Sequence, residues 1–237
     1  MPTLADTVAS LCAYAVEGGL DGRYQPATIF NASIALGYLA APGDALHVWD
    51  HYEELLGAAA EAGVRNLRLE LSWARLEPRR DRLDATAVAR YQTVVANAQT
   101  LGLRVEIAAC DGAWPSWLGM EPLLWPWSHD AVRAHLARCA DYFSLADGLI
   151  FLARPETLAP GYLSADGPPW RRKAVADAAD VVAAYDAIVR EATAQGLLRS
   201  AFDPSTPERP LVSGVGPLAR PNAMLERITG VWRPIAS

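Results

Sequence analysis

Three carboxylates, Glu70, Asp111 and Glu156, stand at or just beyond the ends of three successive short apolar runs. Two arginines, Arg68 and Arg154, each lie two residues from one of them. In a parallel α/β fold the ends of the strands converge on one face, so such acids can share a site. Paired carboxylates do acid–base or nucleophilic work when their surroundings push their pKa values apart. The two arginines could clamp a carboxylate or phosphate through bidentate contacts. For Glu156 the competing reading is a solvated loop acid, and for Asp111 a residue placed by the tight turn at Gly112.

A second constellation is aromatic. Trp114, Trp117, Trp125 and Trp127 fall in a short span stiffened by Pro115, Pro122 and Pro126. Indole faces stack on the apolar faces of sugars at low entropic cost, because few torsions must be frozen. The same rings could instead close one end of the fold as a satellite core. His47 and His51 are four residues apart, but no third ligand of the Glu-x-x-His type follows, so no metal site and no cofactor are expected. No nucleophilic triad or phosphate loop is recognisable, and the run Arg79-Arg80-Asp81-Arg82 reads as a solvated loop.

The elements that must position these residues follow from the apolar pattern. Apolar residues make up 51% of the 237 residues and charged ones 20%, enough for a packed core and unlike a disordered chain. A net charge of −6 gives no footprint for nucleic acid or for an anionic membrane. No apolar run approaches the 18 or so residues a membrane span needs. Cys12, Cys110 and Cys139 are distant and odd in number, so they read as small buried hydrophobes in a reducing cytoplasm. The opening segment, 4–16, lacks a basic leader and reads as an amphipathic helix.

From there, strands are expected at 28–37, 65–72, 104–109, 148–152 and 211–215. Helices are expected at 49–62, 84–100, 129–145 and 174–195, with Asp84 and Ser128 as N-caps and Gly63, Gly102 and Gly196 as terminators. Strand then helix, repeated, predicts a parallel sheet with right-handed crossovers. The lack of a phosphate-binding glycine fingerprint favours a barrel over a dinucleotide-binding sheet. In Leu67-Arg68-Leu69-Glu70-Leu71-Ser72 the alternation puts the leucines on one face and Arg68, Glu70 and Ser72 on the other.

Those residues also carry a resemblance. Tyr52-Glu53-Glu54, Ala62-Gly63-Val64, Arg68 through Ser72-Trp73-Ala74-Arg75-Leu76-Glu77-Pro78, Tyr91, and Trp114-Pro115-Ser116-Trp117-Leu118 are similar to the family 1 glycoside hydrolases, retaining β-glycosidases. Gly161-Tyr162-Leu163 and Gly167-Pro168-Pro169-Trp170 look like that family's region after the fourth strand. The resemblance implies an α/β fold, a partial or compact TIM-type (βα) barrel like the N-terminal half of a glycoside hydrolase barrel. It spans 1–237 as a single domain, with the helix 4–16 and a C-terminal tail 224–237. Where the family has a sugar-binding histidine this chain has Asp111, and the sugar-binding glutamine after the first strand is lost around Gly37-Tyr38-Leu39. The family's Asn-Glu-Pro, whose Glu is the acid/base, reads Ala153-Arg154-Pro155.

An arginine cannot donate a proton near neutral pH, so family-type hydrolysis is not expected. The expectation is a protein that binds a carbohydrate or a glycosylated small molecule, with Arg68, Trp73, Trp114, Trp117 and Arg154 as candidate contacts. Two alternatives stay open: a repurposed enzyme using Glu70, Asp111 and Glu156 on a sugar-like or anionic metabolite, and a structural partner that completes another barrel. A whole barrel takes about 250 residues, yet the fifth strand is expected only at 211. Five parallel strands leave two unpaired edges. The helix 4–16, the tail, a homodimer contact or a partner protein is expected to cover them.

Overall fold

The computed structural model describes residues 3–18, 27–37, 48–164 and 173–211. In chain order they form β1 (Val8–Cys12), the short helices α1 (Ala13–Val16) and α2 (Ile29–Ala35), and α3 (Val48–Glu61). Then follow β2 (Asn66–Glu70), the one-turn helix α4 (Trp73–Leu76), α5 (Ala85–Thr100), β3 (Arg104–Cys110) and α6 (Pro126–Tyr142). Next come β4 (Gly148–Leu152), α7 (Leu158–Ser164), α8 (Val175–Ala194) and the short β5 (Glu208–Pro210). All pairings are parallel, in the order β4-β3-β2-β1-β5, so the expected α/β sheet is present. No described helix is long and apolar enough to cross a membrane.

The middle of the chain folds where its pattern says it should. Asp84 caps α5 by accepting from the backbone N–H groups of Thr86 and Ala87. Gly63, Gly102 and Gly196 follow α3, α5 and α8 with φ between 74° and 96°, a region open to glycine without steric cost. Leu67, Leu69 and Leu71 are fully buried among Tyr52, Leu55, Tyr91 and Val94 from the covering helices. Ser128 does not cap α6, which starts two residues earlier at Pro126 with Trp125 before it. Proline suits that first position because its missing N–H would have no partner there.

The first expectation to fail is the helix 4–16, whose centre is the strand β1, paired on both sides. Val8-Ala9-Ser10-Leu11 is an uncharged run buried throughout. A short apolar run fits helix or buried strand equally well by periodicity, and here parallel pairing on both edges decides. Conversely, 28–37 is not the first strand but contains α2. Thr28 acts as its cap, with its hydroxyl accepting from Phe30 N–H at 3.2 Å and its own N–H donating to Asn31 Oδ1 at 2.5 Å.

A fifth strand is present but starts earlier than 211. β5 begins at Glu208 and pairs with β1, while 212–215 lie outside the described residues. The chain reaches it by a strap. Leu149 and Arg199 exchange backbone hydrogen bonds at 2.8 and 2.9 Å on the outer edge of β4. Val8 N–H then donates to Pro207 O at 2.9 Å, and Leu211 N–H donates to Ser10 O at 2.8 Å, on the side of β1 away from β2. Residues 199–211 therefore bridge from the outer edge of β4 to the side of β1 away from β2, where β5 extends the sheet. Of the expected covers, the segment 4–16 supplies β1 itself, and the tail 224–237 lies outside the described residues.

The strap crosses directly over Gly148. A Cβ there would lie 2.6 Å from Ala201 N and 2.9 Å from Ala201 Cβ. Gly148→Ala is expected to destabilise the fold by about 1–3 kcal/mol, the range for overpacking, although alanine is otherwise the better strand residue. Urea denaturation measures it, and a variant as stable as the parent would show that the strap does not press on β4.

Candidate functional site

At the C-terminal ends of β2, β3 and β4 lies a cavity of about 400 Å³. Its ionisable groups include Glu70, Asp111 and Arg154, and its walls include Phe30, Trp114, Leu123 and Tyr162. Glu70 is the last residue of β2, with a side chain only 4% exposed and without a hydrogen-bond partner among the described residues. Burial pushes its carboxyl up to about 7; Arg154 pulls the other way and Glu208 adds to the rise. Asp111 follows β3 directly. Its Oδ2 accepts from Tyr14 N–H and its Oδ1 from Ala113 N–H, both at 2.9 Å. Burial still drives its carboxyl well above the usual range, and nearby Glu70 adds to the effect. Gly112, at φ 81°, makes the turn that allows this.

Arg154 follows β4, and its guanidinium is about half exposed, with Nη2 3.8 Å from Glu70 Oε2. It therefore stands beside a buried carboxyl that makes no hydrogen bond among the described residues. Glu156, two residues on, is exposed in a short 3₁₀ turn and is not part of the cavity wall. The turn begun by Pro155 carries it away from the strand ends, so the three expected acids reduce to two.

The arginine and tryptophan expectations divide in the same way. Arg68 lies deeper on the polar face of the sheet, not in this cavity. Its Nε donates to Glu106 Oε1 at 2.7 Å, its Nη2 lies 2.7 Å from the same oxygen, and its Nη1 pairs with Glu208. Its partner is thus Glu106 across the parallel register, not Glu70 on the same strand. Arg68 instead borders a second cavity of about 580 Å³, with Tyr185, Ser200 and Glu208. Ser72 turns out of the strand to accept from Arg75 N–H at the start of α4.

Trp73 is fully buried, stacked on His135 at 4.0 Å, with its N–H on Glu77 Oε2 at 2.9 Å. It is a core residue with no face for a ligand. Trp117 donates to Glu77 O at 2.9 Å and packs edge-on against Trp73, outside the cavity. Trp114 alone of the expected aromatics forms cavity wall, held edge-on by Trp73 and Phe151. Trp125 and Trp127 are half exposed. His51 contacts Glu54 at 3.3 Å, and His47 lies outside the described residues.

Two buried acidic groups lie outside the residues expected at the site. Glu17 accepts from Tyr52 Oη at 2.6 Å, Tyr91 Oη at 2.7 Å and Arg75 Nε at 3.0 Å. Arg75 also lies over the Trp49 ring at 4.0 Å and donates to Gly18 O. Three residues quoted for the resemblance, Tyr52, Arg75 and Tyr91, thus serve to hold the loop after β1. Glu106, the other group, was findable: Val105-Glu106-Ile107 repeats the alternation of β2. The residues after the true first strand are Ala13-Tyr14-Ala15-Val16, so no glutamine follows it.

This sheet, its covering helices and a cavity at the strand C-termini define part of a β/α barrel of the glycosidase type. No protein-family model matches the chain, and no curated protein matches it. Solved structures do. A β-glycosidase from Pyrococcus horikoshii is 18% identical with a TM-score of 0.67, over 82% of this chain and 46% of that one. A β-glucosidase from Exiguobacterium marinum is 18% identical with a TM-score of 0.71, over 89% and 49%. A family 1 β-glucosidase from Thermotoga maritima is 16% identical with a TM-score of 0.69, over 81% and 45%. The fold is therefore that of a family 1 glycosidase barrel, and the chain spans about half the length of the structures it matches.

Proposed function

We propose that this chain binds a carbohydrate or a glycosylated small molecule in the cavity at the ends of β2, β3 and β4, without retaining-glycosidase hydrolysis. The observation that carries this reading is Glu70, a buried carboxyl facing the cavity with no hydrogen bond among the described residues. Its carboxyl opens on the cavity, where a ligand hydroxyl can hydrogen-bond to it. Phe30, Trp114 and Tyr162 supply apolar faces of the kind sugar rings use. Retaining hydrolysis requires a protonated acid beside the scissile bond, and Arg154 in the acid's place stays charged.

One observation favours a second reading, a repurposed enzyme. Glu70 near 7 shares the cavity with Asp111, and a carboxyl poised near neutral pH is suited to general acid work. A thermal-shift panel of sugars and glycosides, run beside a chromogenic glycoside assay, separates the two. Concentration-dependent stabilisation without aglycone release supports binding. Release that disappears in Glu70→Gln transfers the weight to the enzyme, and no shift with any compound sinks the carbohydrate reading.

A further inference from the structure

Arg154 gives this cavity a cation without a hydrogen-bonded acceptor. Its closest carboxylate oxygen, on Glu70, is 3.8 Å away, beyond hydrogen-bond range, and no other described residue accepts from the guanidinium. The other cavity acid, Asp111, already has both oxygens engaged by backbone N–H groups. A neutral sugar could satisfy Glu70 but would leave the guanidinium fork without its charge complement. We infer that the ligand carries a carboxylate, as a uronic acid or its glycoside does, and that Arg154 receives it with Glu70 at its flank. The inference rests on the sugar-binding reading above and names the class of sugar.

An arginine fork matches a carboxylate with two parallel hydrogen bonds, a fit that a point charge lacks. Glu70 and a ligand carboxylate would repel each other if both were ionised. Burial holds the Glu70 carboxyl near 7, and a second anion raises it further, so Glu70 would keep its proton and donate it as a hydrogen bond. The charged and titratable groups facing this pair come from every neighbouring strand. Arg68 is on β2, Cys110 ends β3 and Asp111 follows it, Glu208 is on β5, and Cys12 of β1 faces Arg154. The exposed carboxylate of Glu156 lies two residues after Arg154 and acts on it at longer range. Arg68 is already bound to Glu106 and Glu208, and burial favours the neutral form of Asp111, so Arg154 is the cation left for a ligand. Anion binding then takes up a proton, and affinity for the anion falls as pH rises through 7.

The test is calorimetric titration with methyl β-D-glucuronide and methyl β-D-glucoside at pH 6 and pH 8.5. It uses the parent chain, Arg154→Gln and Arg154→Lys, with thermal melts confirming that each variant folds. At pH 6 the glucuronide is expected to bind about tenfold or more tightly than the glucoside. That margin should vanish in Arg154→Gln, return in part in Arg154→Lys, and shrink about tenfold or more by pH 8.5. Equal affinity for the two at pH 6, or a margin that survives Arg154→Gln, overturns the anion inference while glucoside binding keeps the sugar reading. Binding of neither compound overturns both.

Discussion

At pH 8, Glu70→Gln is expected to stabilise the folded chain by about 3 kcal/mol, and at pH 5 to change it by less than about 1 kcal/mol. The Glu70 carboxyl is 4% exposed, has no hydrogen bond among the described residues, and is raised from its ordinary 4.5 to about 7. Burial, the largest cause, penalises the charged form. Between pH 4.5 and 7 the folded state holds a proton that the unfolded state has released, so stability falls as pH rises across that window and levels off above it. Glutamine has nearly the same shape and no charge, so it escapes the loss at high pH and matches the neutral acid at low pH. Urea denaturation of both proteins at pH 5, 6.5 and 8 measures the effect. Asp111 is raised by burial in both proteins and loses only the contribution of the Glu70 charge in the variant, a change of the same sign as the Glu70 effect. A pH-independent difference, or a less stable variant at pH 8, would mean that Glu70 is solvated or paired.

Arg68→Ala is expected to cost about 3–5 kcal/mol, the largest loss among the single substitutions considered. Glu106 has no exposed surface and accepts from Arg68, from Ser200 Oγ at 2.7 Å and from Ala201 N–H at 2.7 Å. Removing the arginine leaves a buried carboxylate with two neutral donors in place of its cation. The same residues fasten the strap, since Ser200, Ala201 and Glu208 all belong to it. Amide hydrogen exchange across 199–210 should therefore accelerate together with the drop in urea midpoint. The double variant Arg68→Met with Glu106→Leu should recover most of the loss, because an apolar pair of similar volume removes the stranded charge. A loss below about 1 kcal/mol for Arg68→Ala would show that water reaches Glu106 and that the pair contributes no more than a surface one.

The sequence by itself determined the parts that local chemistry governs. β2, β3 and β4, the helices between them, the Asp84 cap and the terminating glycines all follow from short-range pattern, because alternation, capping and left-handed backbone act within a few residues. The placing of Glu70 and Asp111 at neighbouring strand ends followed from the same pattern. What only the tertiary structure decided depends on pairing across long separations. The run Val8–Cys12 is a strand because β2 and β5 flank it, and no local signal announces a partner some 200 residues away. Glu17 is buried because Tyr52, Arg75 and Tyr91 converge on it from three elements, which no local pattern announces. Trp73 and Trp114 are the same residue type in similar company, yet His135 covers one and a cavity faces the other. Side-chain type sets what a residue can do, but its burial and partners come from elements far off in the chain. Those decide which carboxyl keeps its proton and which ring meets a ligand.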